Sequence, residues 1–171
     1  MRKVVFVLLL VMVLTLVGCK KAPTIHVGLN PGVDTTEINK QWSDTGAYLT
    51  VEDVYLTGFS EDAVDTSTLG EYEVTYSILH DDIEYSIIRM VQVVDQTSPI
   101  LSILEGIDTI AVNAVWVDGG CEVMDNSGET LVCSTDSVVD TSTVGVYEVL
   151  YTAEDSSGNE GTIIRIVTVV N

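Results

Sequence analysis

Gly32-Val33-Asp34-Thr35 returns as Gly106-Ile107-Asp108-Thr109, and the repetition then runs in order down the chain. In the same register Ile38-Asn39 meets Val112-Asn113, Trp42 meets Trp116, Asp44 meets Asp118 and Gly46 meets Gly120. Slightly further apart, Val64-Asp65-Thr66-Ser67-Thr68 meets Val139-Asp140-Thr141-Ser142-Thr143, and Gly70-Glu71-Tyr72-Glu73-Val74 meets Gly145-Val146-Tyr147-Glu148-Val149. Ile87-Ile88-Arg89 meets Ile163-Ile164-Arg165. The small drift in spacing places short insertions in two loops. Ordered self-similarity of this kind means that the chain is built twice from one plan. Each copy spans about 75 residues, the scale of a small domain with its own core. Asp95-Gln96-Thr97-Ser98-Pro99, polar and ending in proline, marks the boundary, and Pro23 holds the corresponding place before the first copy. Residues 24–96 and 97–171 are therefore read as two domains joined by a linker too short for much independent swinging.

Within each copy the pattern is that of strands. Val, Ile, Thr and Tyr dominate and turn residues recur at short intervals. Tyr72, Val74, Tyr76 and Ile78 alternate with Glu71, Glu73, Thr75 and Ser77, a period of two with one buried and one wet face. Tyr147, Val149, Tyr151 and Ala153 repeat it, although Leu150 breaks the polar face. Segments 87–94 and 163–170 are apolar on both parities apart from Arg89, Gln92, Arg165 and Thr168, so their inward face is left open. Short strands with regular turns predict an all-β sandwich architecture.

The Gly-x-Tyr-x-Val pieces resemble the Gly-x-Tyr-x-Cys segment of many immunoglobulin domains, in which the tyrosine hydroxyl ties the strand start to the preceding corner. Val74 and Val149 stand where the cysteine would be, so packing must replace the usual inter-sheet disulfide. The second copy also resembles the bacterial Ig-like domain named after a pesticidal crystal protein, a relative of hyalin-repeat-like modules. The matching pieces are Asp95…Pro99-Ile100, Asp118-Gly119-Gly120-Cys121, Asp125-Asn126-Ser127-Gly128-Glu129, 139–147, Asp155-Ser156-Ser157-Gly158-Asn159 and Arg165-Ile166-Val167. The first copy diverges: Val51-Glu52-Asp53-Val54 and His80-Asp81-Asp82-Ile83 replace the two Asp-rich turns. The resemblance implies two tandem Ig-like sandwiches, extracellular, with no catalytic residues and no single ligand.

Arg2 and Lys3 precede an apolar run, Val4 to Val17, interrupted only by Thr15, and Leu16-Val17-Gly18-Cys19 follows. A positive start, an apolar core and a small residue before a cut site describe a secretory signal over residues 1–18. The run is shorter than the roughly 20 residues that a membrane-crossing helix needs. Leu16–Cys19 resembles the lipobox of bacterial lipoproteins. The resemblance implies diacylglycerol on the Cys19 thiol and cleavage before it, leaving residues 19–23 as a lipidated N-terminus and spacer. Stable anchoring takes more than one acyl chain or an added signal, and Lys20 and Lys21 would face anionic headgroups. The expected location is extracytoplasmic, anchored to the bacterial membrane through Cys19 and exposed at the cell surface.

The chain carries 26 acidic and 7 basic side chains, net −19. Such a surface repels phosphate, which excludes nucleic acid as a natural partner. Export permits disulfides, and Cys121 and Cys133 are expected to pair, although two buried free thiols would read the same. Trp42 and Trp116, at one shared position in both copies, read as core anchors ahead of carbohydrate platforms. Asp125, Asn126, Glu129, Asp155 and Asn159 offer oxygen atoms to calcium, but Asp, Asn and Gly are also what tight turns require, so no metal or cofactor is expected. His26 and His80 lie in different copies and belong to no catalytic motif. The expected function is a non-catalytic binding or adhesion module for a protein or glycan. The alternatives are a spacer or accessory subunit of an envelope complex and, without any motif behind it, a hydrolase.

Overall fold

The computed structural model describes residues 23–171 other than Phe59. The expected signal segment over residues 1–18, the expected lipidation residue Cys19 and residues 20–22 of the expected spacer lie outside the described residues. Eleven strands form in chain order: β1 Ile25–Leu29, β2 Thr35–Glu37, β3 Ala47–Val51, β4 Val54–Gly58, β5 Gly70–His80, β6 Ile83–Val94, β7 Ile100–Ile103, β8 Thr109–Ala111, β9 Cys121–Met124, β10 Gly145–Glu154 and β11 Glu160–Val170. The described residues contain no helix.

The strands of each sequence copy pair only with one another. In the first, the sheets run β1-β3-β4 and β2-β6-β5; in the second, β7-β9 and β10-β11-β8. The long hairpins match: Val74 opposes Arg89 across β5–β6, and Val149 opposes Arg165 across β10–β11. In each copy a short strand then joins in parallel, β2 beside β6 and β8 beside β11. The second copy has no counterpart of β4. Its chain there is held by a single bridge between Ser134 and Thr152, and by a disulfide between Cys121 and Cys133.

The period-two reading of the hairpins predicts the core. Val74, Tyr76 and Ile78 are buried on β5, as are Val149, Tyr151 and Ala153 on β10. Val74 and Val149, in place of the usual cysteines, sit in the two hydrophobic clusters. Tyr72 and Tyr147 each donate from Oη to a backbone carbonyl four residues upstream, Thr68 O and Thr143 O, at 2.8 Å. Both corner ties are thus present. Trp42 and Trp116 pack half-buried against the clusters, and their indole N–H groups donate to Val33 O and Ile107 O. They are core anchors with a satisfied polar edge.

The face that sequence left open on β6 and β11 is decided by arginine. Arg89, Val91 and Val93 point inward, as do Arg165, Val167 and Val169, while Ile88, Met90, Ile164 and Ile166 face out. Each arginine is 2% exposed. Arg89 donates to Asp34 at 2.5 Å and to the Asn30 carbonyl at 2.6 Å; Arg165 donates to Asp108 at 2.6 Å and to the Leu104 carbonyl. Tyr76 and Tyr151 complete the networks by donating to Asp44 and Asp118. The same two aspartates accept from the N–H of Gly46 and Gly120, which hold positive φ of 74° and 75°. A buried charge costs stability unless paired and hydrogen-bonded, and both guanidinium groups are paired through their terminal nitrogens, while each Nε is buried without a hydrogen-bond partner.

Candidate functional site

Where the first copy hands over to the second, acidic turns meet a linker that is itself acidic. Asp95 follows β6 and is 8% exposed; Asp155 opens the β10–β11 turn and is 6% exposed. Asp125 and Glu129 lie half-buried on the turn after β9. One carboxylate oxygen from each of these four residues lies within 4.8 Å of the others.

Local turn chemistry explains why the backbone presents them so. Asp125 Oδ1 accepts from the Ser127 N–H at 2.8 Å, and Asp155 Oδ1 accepts from the N–H groups of Ser157 and Asn159 at 2.9 and 2.8 Å. Side chains that bond their own backbone two residues on are the usual makers of tight turns. Gly128 and Gly158, at φ of 77° and 86°, supply the left-handed positions that close both turns. Glu129 reaches across to accept from the Ser156 N–H at 3.1 Å, tying the two turns together.

The junction is also bonded across the repeats. Asn39 Nδ2 donates to the Asn126 and Ser127 carbonyls at 2.9 and 3.2 Å. Asn126 Nδ2 donates to Glu37 Oε1, which further accepts from Gln96 N–H at 2.8 Å and Thr97 Oγ at 2.7 Å. Asn159 Nδ2 donates to the Asp95 carbonyl at 3.2 Å.

Charge is distributed unevenly here. Burial, followed by the neighbouring charges of Asp125 and Asp155, pushes the Asp95 carboxyl above its ordinary range. Burial also acts on Asp155, but hydrogen bonds from Asn159, Ser157 and Gly158 outweigh it and hold that carboxyl low. The Gln96 N–H, with Thr97, lowers Glu37. Oδ2 of Asp95, Oδ2 of Asp125 and Oδ1 of Asn126 are buried without a hydrogen-bond partner.

The structure treats the sequence-expected residues differently. Cys121 and Cys133 are bonded, with Cα atoms 6.2 Å apart. Asp125, Glu129 and Asp155 converge, and Asn126 and Asn159 serve the same junction. His26 faces Thr50 across β1–β3, whereas His80 ends β5 beside Asp81 at 3.5 Å. Sequence reasoning missed Asp95, which reads as linker, and the two buried arginines. The available signal for Asp95 was its fixed place four residues before Pro99; for the arginines it was their shared parity with the inward valines.

Residues 104–169 match the family model of the bacterial surface protein Ig-like domain. The match covers the second repeat from the end of β7 to the end of β11. It supports an Ig-like surface family for this segment, and with it surface exposure and a non-catalytic role. It does not reach the narrower crystal-protein family suggested by the motifs. No curated protein matches the chain.

Proposed function

We propose that the chain is a lipoprotein anchored through Cys19 that displays two Ig-like repeats at the bacterial surface, with the second repeat binding a partner by its outer sheet face. The observation that carries this reading is the apolar surface of β10–β11. Leu150 and Ile164 oppose each other there at 43% and 47% exposure, and Ile166 lies beside Ile164 along β11, opposed by Glu148. The outer face of a sandwich sheet is ordinarily polar, and exposed contiguous apolar surface marks contact sites. In the first repeat Thr75 stands where Leu150 does and opposes Ile88, while Glu73 opposes Met90 as Glu148 opposes Ile166. A protein partner fits an apolar sheet face better than a glycan does.

The spacer reading draws on the hydrogen-bonded junction, which suits a stiff stalk. Residues 20–171 used as bait distinguish the two. A binding module retains a discrete partner that Leu150→Glu releases; retention unaffected by Leu150→Glu would count against this face. The anchor has its own check. Cys19→Ser should block processing or release the protein from membranes, and unchanged membrane retention with unchanged processing refutes lipidation.

A further inference from the structure

We propose that the junction between the repeats is a calcium-class cation site formed by Asp95, Asp125, Glu129 and Asp155, and that the bound ion locks the two repeats together. The proposal is independent of the partner-binding face above.

Two features go beyond a simple accumulation of acids. The first is the Asp95 side chain, more than nine-tenths buried, with an Oδ2 that has no hydrogen-bond partner although its carboxylate belongs to the cluster. The Asp125 Oδ2 beside it is equally orphaned. Buried carboxylate oxygens without donors are costly and call for a counter-charge or a proton. The second is the lack of any protein cation to meet them. The described residues include only Lys40, Arg89 and Arg165 as basic side chains other than histidine. Both arginines are committed to the networks inside their own repeats, and among the described residues no salt bridge reaches the four carboxylates.

The chemistry of the donors selects the ion. All are oxygens, with neither sulfur nor imidazole, which disfavours zinc. Calcium takes six to eight oxygens at about 2.3–2.6 Å, so ligands on opposite sides of one ion stand roughly 4.6–5.2 Å apart. The observed limit of 4.8 Å suits that sphere. Magnesium holds its ligands at about 2.0–2.1 Å and usually accepts only one or two carboxylates, keeping its waters. Carboxylates that bind through both oxygens, the orphaned Asn126 Oδ1 and solvent can fill the remaining positions.

Placement explains the consequence. Asp95 belongs to the linker leaving the first repeat, whereas Asp125, Glu129 and Asp155 belong to turns of the second. An ion shared by all four spans the boundary. The first repeat carries Val51-Glu52-Asp53-Val54 and His80-Asp81-Asp82-Ile83 where the second has its two Asp-rich turns, so the donor set is particular to the junction.

The test uses the full chain purified in detergent, stripped with EDTA and titrated with CaCl2 or MgCl2 alone in a calorimeter. Calcium should bind one-to-one with a dissociation constant of about 10⁻⁵–10⁻³ M, raise the melting temperature by several degrees and outcompete magnesium at least tenfold. Asp95→Asn and Glu129→Gln should each weaken calcium at least tenfold, while Glu148→Gln, on the outer face of β10, should not. In EDTA, Asp95→Asn should melt no lower than the parent, because it removes like-charge repulsion. A purely structural carboxylate would instead lose stability under both conditions. Hydrogen exchange at 95–98 should slow on adding calcium. The site is refuted by no heat and no melting shift at about 10 mM calcium, by undiminished binding in both cluster variants, or by equal magnesium affinity. Binding without slower exchange at 95–98 refutes the locking.

Discussion

Removing the Cys121–Cys133 bridge tests how the second repeat compensates for its missing strand. The bond closes a segment of sequence separation 12, between the first residue of β9 and the chain just before the Ser134–Thr152 bridge. Closing a loop of that size in the unfolded chain is worth about 3 kcal/mol in the chain-entropy account. For a domain of about 75 residues this corresponds to roughly 12–24 °C in melting temperature. Both cysteines pack against the core cluster of Leu101, Val149, Tyr151, Ala153 and Val167, so valine is the replacement that best keeps the contact. Urea unfolding of Cys121→Val/Cys133→Val, in a Trp42→Phe background that leaves Trp116 as the reporter, should show the loss in the second repeat. Mild reduction of the parent should give the same loss without changing side-chain volume. A loss below about 1 kcal/mol by both routes would refute the entropic reading, and it would mean that the Ser134 bridge and core packing already fix this segment. Because Asp125 and Glu129 lie inside the closed loop, reduction should also weaken calcium binding.

The corner ties predict that Tyr72→Phe and Tyr147→Phe each cost about 1 kcal/mol, the usual net worth of one hydrogen bond, additively in urea unfolding. Asp108→Ala should cost on the order of 3 kcal/mol, because it leaves the Arg165 guanidinium buried with its closest charge partner removed; a loss near zero would show that Leu104, Gly120 and Asp118 suffice. Gly161→Ala should loosen the second repeat, since an added Cβ would meet the backbone carbonyl of Pro99 and the Leu101 side chain; an unchanged melt would contradict that close approach. Burial, followed by the hydrogen bond to Asp44, pushes the Tyr76 hydroxyl up to about 12. The folded state therefore favours the protonated form. The stabilisation is fully present below the free tyrosine value near 10 and is lost as pH rises through about 12. Burial and the bond to Asp118 also push the Tyr151 hydroxyl up, so absorbance at the phenolate band should show more than one late-titrating group, one of which Tyr76→Phe removes.

Much of the fold was legible because it is repetitive and local. Period-two alternation placed Tyr72, Val74, Tyr76 and Ile78 against the core, and the same pattern in 147–153 did so again. The corner tyrosines were legible for a similar reason, since their acceptors lie only four residues upstream. β6 and β11 were not legible, because valine and isoleucine occupy both parities there and local hydrophobicity cannot choose a face. The tertiary structure chose the face holding Arg89 and Arg165, whose partners Asp34 and Asp108 lie 55 and 57 residues away in the chain.

The acidic turns show the same division. Sequence by itself determined that Asp125 and Asp155 would shape tight turns, because an Asx turn needs only neighbouring residues. It also determined that the chain repeats one all-β plan. Only the tertiary structure brought those turns to Asp95 and left an oxygen of Asp95 and one of Asp125 unpaired. Convergence of charges from a linker and two turns depends on how one repeat docks on the other, and no local pattern of residues encodes that distance.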